Sequence, residues 1–400
     1  MIANLHKLVY SCFLICLSVI LLCACDKNKG NDTDDVVDTK ILPPYSLDEF
    51  VMGVDLSYLN QILDKGGLYT DNMDPYEIFS NMGANLVRLR LWNNPDWIRE
   101  VYDNDEEILY SGYEDVKSAA LKAKKAGMEI CLDFHYSDTW ADPGKQYTPE
   151  AWKNLELNEL KDSVYSFTRK TLADLKESGI VPAYVQIGNE INPGILHPLG
   201  HVESNNWKNL GELLNSGIKA VRDEFLNEDA PKIILHVAQP ENVRWFFNNL
   251  TILGEVNDFE LIGLSYYSKW SSVDLSELDG YIKTLKRDFS KEILVMETAF
   301  PWINESVDQY TNIFGGQDSI MGYEVSPAGQ AEFMKDLCQE VIDGGGKGVV
   351  YWEPGWISSE MKTRWGQGSA WENCSFFDFR NNNLLLPVVE YIDFEYQFEP

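Results

Sequence analysis

Two glutamates carry the clearest chemistry in this sequence. Glu190 closes PAYVQIGNE (182–190) and Glu297 lies toward the end of EILVMETAF (292–300), each after an apolar run with the alternation of a strand. Period two places Gln186, Gly188 and Glu190 on one face of the first run, and Ile293, Val295 and Glu297 on one face of the second. Both carboxylates can then point into a shared mouth. Arg88 and Arg90, from NLVRLRLW (85–92), are available to hold one carboxyl ionised, while its less paired partner, close to a negative neighbour, keeps its proton at neutral pH. One neutral acid and one ionised nucleophile are the minimal equipment for glycoside hydrolysis. The retaining form of that reaction needs the two carboxyls about 5 to 5.5 Å apart.

Rival chemistries find less support. The sequence offers no P-loop, no pairing of serine with histidine, and no HExxH among His6, His135, His197, His201 and His236. His197 and His201 are four apart, but Pro198 and Gly200 between them break the helix on which a metal pair at that spacing would sit. Aromatic residues favour a sugar. Trp92, Trp140, Trp270, Trp302, Trp352 and Trp356 fall at or just after the ends of strand-like runs, where flat indole faces can stack on pyranose rings.

Eight such runs position these groups: 50–57, 85–92, 128–136, 182–190, 232–238, 261–267, 292–300 and 348–354. Helical stretches separate them, several ending in a glycine suited to the left-handed position after a helix, as at Gly127 and Gly179. Eight strands in βα order predict a single (β/α)8 TIM barrel, an α/β fold, here with extended βα loops after strands 3, 7 and 8. Chemistry in that fold sits at the C-terminal strand ends, and those ends are polar: Asp55, Arg90, His135, Asn189 with Glu190, Tyr266 with Tyr267, Glu297, and Trp352 with Glu353.

Composition agrees. The chain has 400 residues, 44% apolar and 24% charged, ample for a large core. Lys plus Arg 33 against Asp plus Glu 63 gives a net charge of -30, which argues against nucleic acid and polyanionic substrates as partners. Cys131, Cys338 and Cys374 are too dispersed for a disulfide framework or a zinc site and read as packing residues, whereas Cys12, Cys16, Cys23 and Cys25 crowd the N-terminus. There Lys7 precedes an apolar run, Leu8 to Leu22, and Leu22-Cys23-Ala24-Cys25 resembles a bacterial lipobox. Residues 1–24 are therefore expected to be a lipoprotein signal peptide, and Cys25 the lipidated residue. Residues 25–44 would be a flexible acidic tether and 45–400 the catalytic barrel. The expected location is that of an exported bacterial lipoprotein, on the outer membrane or cell surface and partnered with the membrane through its anchor.

The segments GVDLSYL, NLVRLRLWNNP, DFHYSDTWADPGKQ, VQIGNEINPGIL, IGLSYYSKW, ETAFPW and GVVYWEPGW together resemble glycoside hydrolase family 53, the endo-β-1,4-galactanases, across nearly the whole chain after residue 45. The resemblance implies cleavage of internal β-1,4 bonds in galactan, the side chain of type I arabinogalactan in pectin, by a retaining mechanism. It implies Glu190 as acid/base, Glu297 as nucleophile and Asn189 as a contact to the sugar 2-hydroxyl. Asp142, Pro143, Gly144 and Lys145 correspond to a substrate-contacting stretch, although Asp142 also suits a turn cap. Asp55, Arg90, His135, Trp140, Tyr266 and Trp352 complete the expected substrate-binding set. The stretch ETAFPWINESVDQYTNIFGG departs from the best-known members and is expected to shape distal subsites.

Some galactanases carry a structural calcium between the loops after strands 7 and 8. This chain resembles that arrangement in Asp308, Tyr310 and Asn312, which can offer a carboxylate, a backbone carbonyl and an amide oxygen, and in GSAWEN (368–373), where Ser369 and Glu372 add a carbonyl and a carboxylate. Calcium is the one cofactor expected. Two alternatives stand beside the galactanase reading: a retaining endo-glycanase of the same clan acting on mannan, xylan or cellulose, and a non-catalytic glycan-binding lipoprotein.

Overall fold

A computed structural model describes residues 43–398 apart from 204, 205 and 227, so the expected signal segment, Cys25 and nearly all of the tether lie outside the described residues. Eight parallel strands close into a barrel. They are β1 (Val51–Asp55), β2 (Leu86–Leu91), β3 (Glu129–Phe134), β4 (Tyr184–Ile187), β5 (Lys232–Ala238), β6 (Leu261–Ser265), β7 (Glu292–Thr298) and β8 (Gly348–Tyr351), each paired with the next and β8 with β1. Every one lies inside a run expected from the sequence.

The longer helices between them are α1 (Pro75–Asn81), α2 (Tyr113–Ala126), α3 (Leu157–Glu177), α4 (Trp207–Glu224), α5 (Pro240–Ile252), α6 (Leu278–Phe289) and α7 (Pro327–Asp343). A 3-10 turn, Pro387–Tyr391, packs on α7 where an eighth helix would stand. Local chemistry sets their ends. Asp74 accepts from Tyr76 N to cap α1, and Ser326 accepts from Gly329 N to cap α7. Gly127 stops α2 at φ +93°, where a side chain would be strained.

Period two divides the core. An apolar layer inside the barrel draws on every strand: Val51, Leu86, Cys131, Tyr184, Ile234, Leu261, Leu294 with Met296, and Val350. Alternate residues such as Val87, Leu132, Val185 and Ile293 face the helices in a second, larger core. Cys131, Cys338 and Cys374 are buried free thiols, as expected for packing residues. The long loops follow β3, β7 and β8 at the C-terminal end. The last two are joined by backbone bonds from Trp302 N to Asn373 O (2.8 Å) and from Ile313 N to Ala370 O (3.1 Å).

Candidate active site

Two residues along from the apolar layer, the barrel interior turns polar at Arg88 of β2, Asp133 of β3, Gln186 of β4 and His236 of β5, all fully or almost fully buried. Arg88 organises this layer. Its five N–H groups meet five acceptors: Nε reaches Gln186 Oε1 (3.1 Å), Nη1 reaches Asp55 Oδ2 and Glu297 Oε1 (both 2.8 Å), and Nη2 reaches Asp133 Oδ2 (2.8 Å) and Asn189 Oδ1 (2.7 Å). A guanidinium fits here because it forks in a plane and stays charged when buried, with Asp133, Glu297 and Asp55 favouring its cationic form against the cost of desolvation.

The two glutamates reach the mouth by routes that simple alternation misses. In β7 Leu294 and Met296 face the barrel interior and Ile293 and Val295 face the helices, so strict alternation sends Glu297 outward. A bulge corrects it. Leu264 pairs with Val295 but Ser265 with Glu297, and Val349 pairs with Val295 but Tyr351 with Thr298, so β7 carries one extra residue at Met296 and Glu297 turns inward. The expectation of one continuous face for Ile293, Val295 and Glu297 is thus overturned. Nor is Glu190 on a strand. β4 stops at Ile187, Gly188 takes φ +83°, and Glu190 itself takes φ +45°, an unfavourable backbone held by the surrounding structure.

Around the pair lies a cleft of about 510 Å3. Arg88, Arg90, His135, Asn189, Glu190, Tyr267 and Glu297 line its polar floor, and Trp140, Trp270, Trp352 and Trp371 its aromatic walls. Glu297 Oε2 accepts from Tyr267 OH at 3.0 Å, so both of its oxygens have donors, whereas Glu190 accepts at Oε1 from Ser265 Oγ (2.6 Å). Burial, and then the charge of Glu297, pushes the Glu190 carboxyl up to about 8. Burial raises Glu297 as well, to about 7, but Arg88 holds it below its neighbour, so Glu297 is the first of the two to ionise. His135 donates from Nε2 to Asp133 Oδ2 (2.9 Å) and accepts at Nδ1 from Ala141 N (3.0 Å), which orients its ring.

Several expected residues meet at this cleft: Arg90, His135, Trp140, Asp142, Pro143, Asn189 and Trp352 with the two glutamates. Arg90 lies over the rings of Tyr58 and Trp92 (4.3 and 4.7 Å) and 3.5 Å from Glu353. Asp142 both lines the cleft and caps its turn, accepting from Gly144 N at 2.7 Å. Others are corrected. Asp55 is buried beneath the cleft, accepting from Arg88 and Ser57, so it supports the floor and is not among the lining residues. Tyr266 points away and donates to Val273 O (3.0 Å); its neighbour Tyr267 is the cleft residue, because successive residues take opposite faces. Gly144 and Lys145 stand outside the lining, with the Lys145 ammonium on Asp142 (3.2 Å) and 5.4 Å from the centre of the Trp365 ring. Of the six expected tryptophans, Trp92, Trp302 and Trp356 are core residues.

Missed altogether were Trp371 and, after β5, Gln239 and Asn242, which also line the cleft. Polar residues following KIILHVA were a usable signal for the last two. Ile313 of the divergent loop after β7 lines the cleft as well, and Phe314 beside it stacks on Trp270 and Trp371.

The residues expected to hold calcium are gathered where that loop meets the loop after β8. Asp308 takes Tyr310 N (2.7 Å) and Ser369 N (2.8 Å), and Glu372 Oε1 takes Ser306 Oγ (2.7 Å) and Val307 N (3.1 Å). Glu372 Oε2 and Asn312 Oδ1 are buried acceptors with no partner, a donor set that suits a hard cation. Among the described residues no group of three or more His, Cys, Asp or Glu forms a metal site, so a cation here would depend on amide and carbonyl oxygens beside the two carboxylates.

Comparison with known proteins agrees with this geometry. The pattern described as Glycosyl hydrolase family 53 matches residues 51–390. An arabinogalactan endo-beta-1,4-galactanase of Cellvibrio japonicus is 41% identical over 355 residues, covering 87% of this chain and 92% of its own. The arabinogalactan endo-beta-1,4-galactanase A of Emericella nidulans is 32% identical over 351 residues, covering 85% and 93%. The solved catalytic domain from Ignisphaera aggregans, described as GH53, superposes with a TM-score of 0.78 at 34% identity, covering 89% of this chain and 98% of its own.

Proposed function

Because the chain belongs to glycosyl hydrolase family 53, we propose that it is a retaining endo-β-1,4-galactanase, cleaving internal bonds of galactan, the side chain of type I arabinogalactan in pectin. The observation that carries the mechanism is the unequal pairing of two buried carboxyls in one aromatic cleft: Glu297 receives Arg88 and Tyr267, while Glu190 receives a single serine hydroxyl. Glu297, the easier to ionise, attacks the anomeric carbon as Glu190 gives its proton to the departing glycosidic oxygen. Glu190, now a carboxylate, then takes a proton from water as that water opens the glycosyl ester, and the original anomeric configuration returns. Trp140, Trp270, Trp352 and Trp371 supply stacking surfaces, and Asn189, held by Arg88 and by its own bond to Ala141 O (2.9 Å), faces the sugar at the nucleophile.

Digestion of linear galactan tests the substrate, with mannan, xylan and cellulose in parallel: internal cuts in galactan alone are expected, and binding without cleavage would remove the enzyme reading. Glu297→Gln should abolish turnover of every substrate, whereas Glu190→Ala should keep glycosylation by activated aryl galactosides, which need no proton. Equal losses on activated and natural substrates would reverse the assignment.

We infer that Asp308, the Tyr310 carbonyl, Asn312, the Ser369 carbonyl and Glu372 hold a calcium ion, supported by the two unpartnered oxygens at that junction. Bound there, it would neutralise the buried Glu372 and the half-buried Asp308 and tie one loop to the next, outside the chemical step. We also infer from Leu22-Cys23-Ala24-Cys25 that Cys25 carries lipid on an exported lipoprotein of the outer membrane or cell surface. Cys25→Ala should release the protein from membranes, and unchanged fractionation would refute the anchor.

A further inference from the structure

Behind Glu190 runs a buried chain of polar groups that the two-carboxylate mechanism does not use. Glu190 Oε1 meets Ser265 Oγ at 2.6 Å, Ser265 Oγ meets His236 Nε2 at 3.0 Å, and His236 Nδ1 meets Asn189 Oδ1 at 2.8 Å. Ser265 and His236 are wholly buried.

The direction of each bond follows from its far end. Asn189 Nδ2 donates to Ala141 O, and Asn189 Oδ1 receives Arg88 Nη2, which can only donate, so the atom facing His236 is the oxygen. Two bare acceptors would repel at 2.8 Å, so His236 Nδ1 carries a proton. Gln186 Nε2, 3.2 Å from the same nitrogen, already spends its protons on Gly188 O (3.0 Å) and Asn189 Oδ1 (3.1 Å). Burial and the neighbouring Arg88 keep the imidazole neutral, which leaves Nε2 an acceptor.

Ser265 therefore stands between two acceptors with one proton. In the free protein, a protonated Glu190 that carries its proton on Oε1 donates it to Ser265 Oγ, and Ser265 O–H then donates to His236 Nε2, so that every group is satisfied; once the proton sits on the other oxygen, toward the glycosidic bond, Ser265 O–H returns to Oε1. When Glu190 is ionised, the hydroxyl must turn to the carboxylate, and His236 Nε2 loses its only donor in a site closed to water. We propose that Ser265 and His236 are positioning residues that couple the protonation of Glu190 to the direction of the Ser265 hydroxyl, His236 serving as its alternate acceptor. Ser265 eases each loss of the proton by following it with its own hydrogen bond, and His236 draws the hydroxyl back as Glu190 reloads. The proposal rests on Glu190 being the acid/base. Other charged or titratable groups facing Glu190 are Glu297, Asp142, Arg88 and Tyr267; those facing His236 are Arg88, Asp133 and His135.

The test is the alkaline limb of kcat/KM on linear galactan, measured in four forms of the protein. Ser265→Ala removes the donor to the carboxylate, and its limb should move up by about one pH unit, because a bond to a charged group outweighs one to a neutral group. His236→Asn keeps an amide donor near Asn189 but loses the acceptor beyond it; its limb should move down by about as much. In the Ser265→Ala background His236→Asn should add no shift, since no hydroxyl remains to redirect. Unmoved limbs, shifts in one direction or additive shifts would overturn the coupling. Nitrogen-15 NMR of His236 in the unaltered protein serves even where a variant fails to fold: a proton on Nδ1 and a bare Nε2 are expected across the active range, and the opposite tautomer or an imidazolium would also overturn it. A limb that survives in Glu190→Ala on an activated aryl galactoside would instead remove the reading of Glu190 itself, and the coupling with it.

Discussion

Arg88 donates through Nη1 to Glu297 Oε1 at 2.8 Å, and both side chains lie buried in the floor of the cleft. The same Nη1 serves Asp55, so the nucleophile is fixed by a cation that is itself fixed by two further carboxylates, Asp55 and Asp133. Burial works to raise Asp133, yet Arg88 holds it below the ordinary aspartate range, which shows how strongly this cation governs the layer.

Replacing Arg88 should therefore damage both stability and turnover. Arg88→Leu leaves three buried carboxylates without their shared cation and should cost about 3 to 5 kcal/mol of stability, measured by denaturant unfolding. Arg88→Lys keeps the charge but cannot meet five acceptors at once; kcat should fall about 100-fold or more while the fold survives. A fully active Lys variant would show that charge alone suffices.

Activity should follow a bell in pH. Catalysis needs Glu297 ionised and Glu190 protonated, so turnover is lost as pH falls through the Glu297 pKa, raised to about 7, and lost again as pH rises through that of Glu190, raised to about 8. The two apparent values belong to the coupled pair. Initial rates on galactan check this, and an alkaline limb near the ordinary glutamate range would contradict the burial argument.

Adjacent tyrosines should separate cleanly. Tyr267→Phe removes the donor to Glu297 Oε2 and should lower kcat about 10- to 100-fold with little change in melting, because a bond to a charged group is at stake. Tyr266→Phe loses the bond to Val273 O and a weak one to Met321 Sδ (3.5 Å), both away from the cleft, so it should cost about 1 kcal/mol of stability and leave turnover intact. Equal effects on turnover would place both rings in the cleft.

Chelation tests the junction of the loops after β7 and β8. EDTA should lower the melting temperature and added calcium should restore it, while Glu372→Gln should melt at the same temperature with or without chelator. Unaltered melting of the parent protein in EDTA, with no calcium by elemental analysis, would dismiss the ion.

How much of this was readable beforehand depends on the range of the physics involved. The eight strands, the glycine stop at Gly127 and the polar strand ends are set by neighbours within a few residues, so periodicity and residue type were enough to place Glu190, Glu297, Asn189 and His135 at one end of a barrel. Resemblance of seven segments to a family supplied the substrate class. The tertiary structure decided whatever depends on contacts across the barrel. Glu297 enters the cleft only because β7 gains a bulge between two partner strands, and a bulge is a property of register between chains, invisible in one run of alternating residues. Arg88 and Arg90 are equivalent on paper, two residues apart on one face of β2. Depth separates them, since the lower one meets Asp55, Asp133 and Glu297 from strands on either side and across the barrel, while the upper one rises among Tyr58, Trp92 and Trp140 and pairs with Glu353. Tyr266 and Tyr267 are also alike on paper: either could face inward, and which one does follows from which face of β6, the one that carries Leu261, packs into the barrel. Sequence determines the kinds of groups at the mouth, because kind and spacing are local; which of two neighbours touches the nucleophile is settled by packing, because that contact spans residues far apart in the chain.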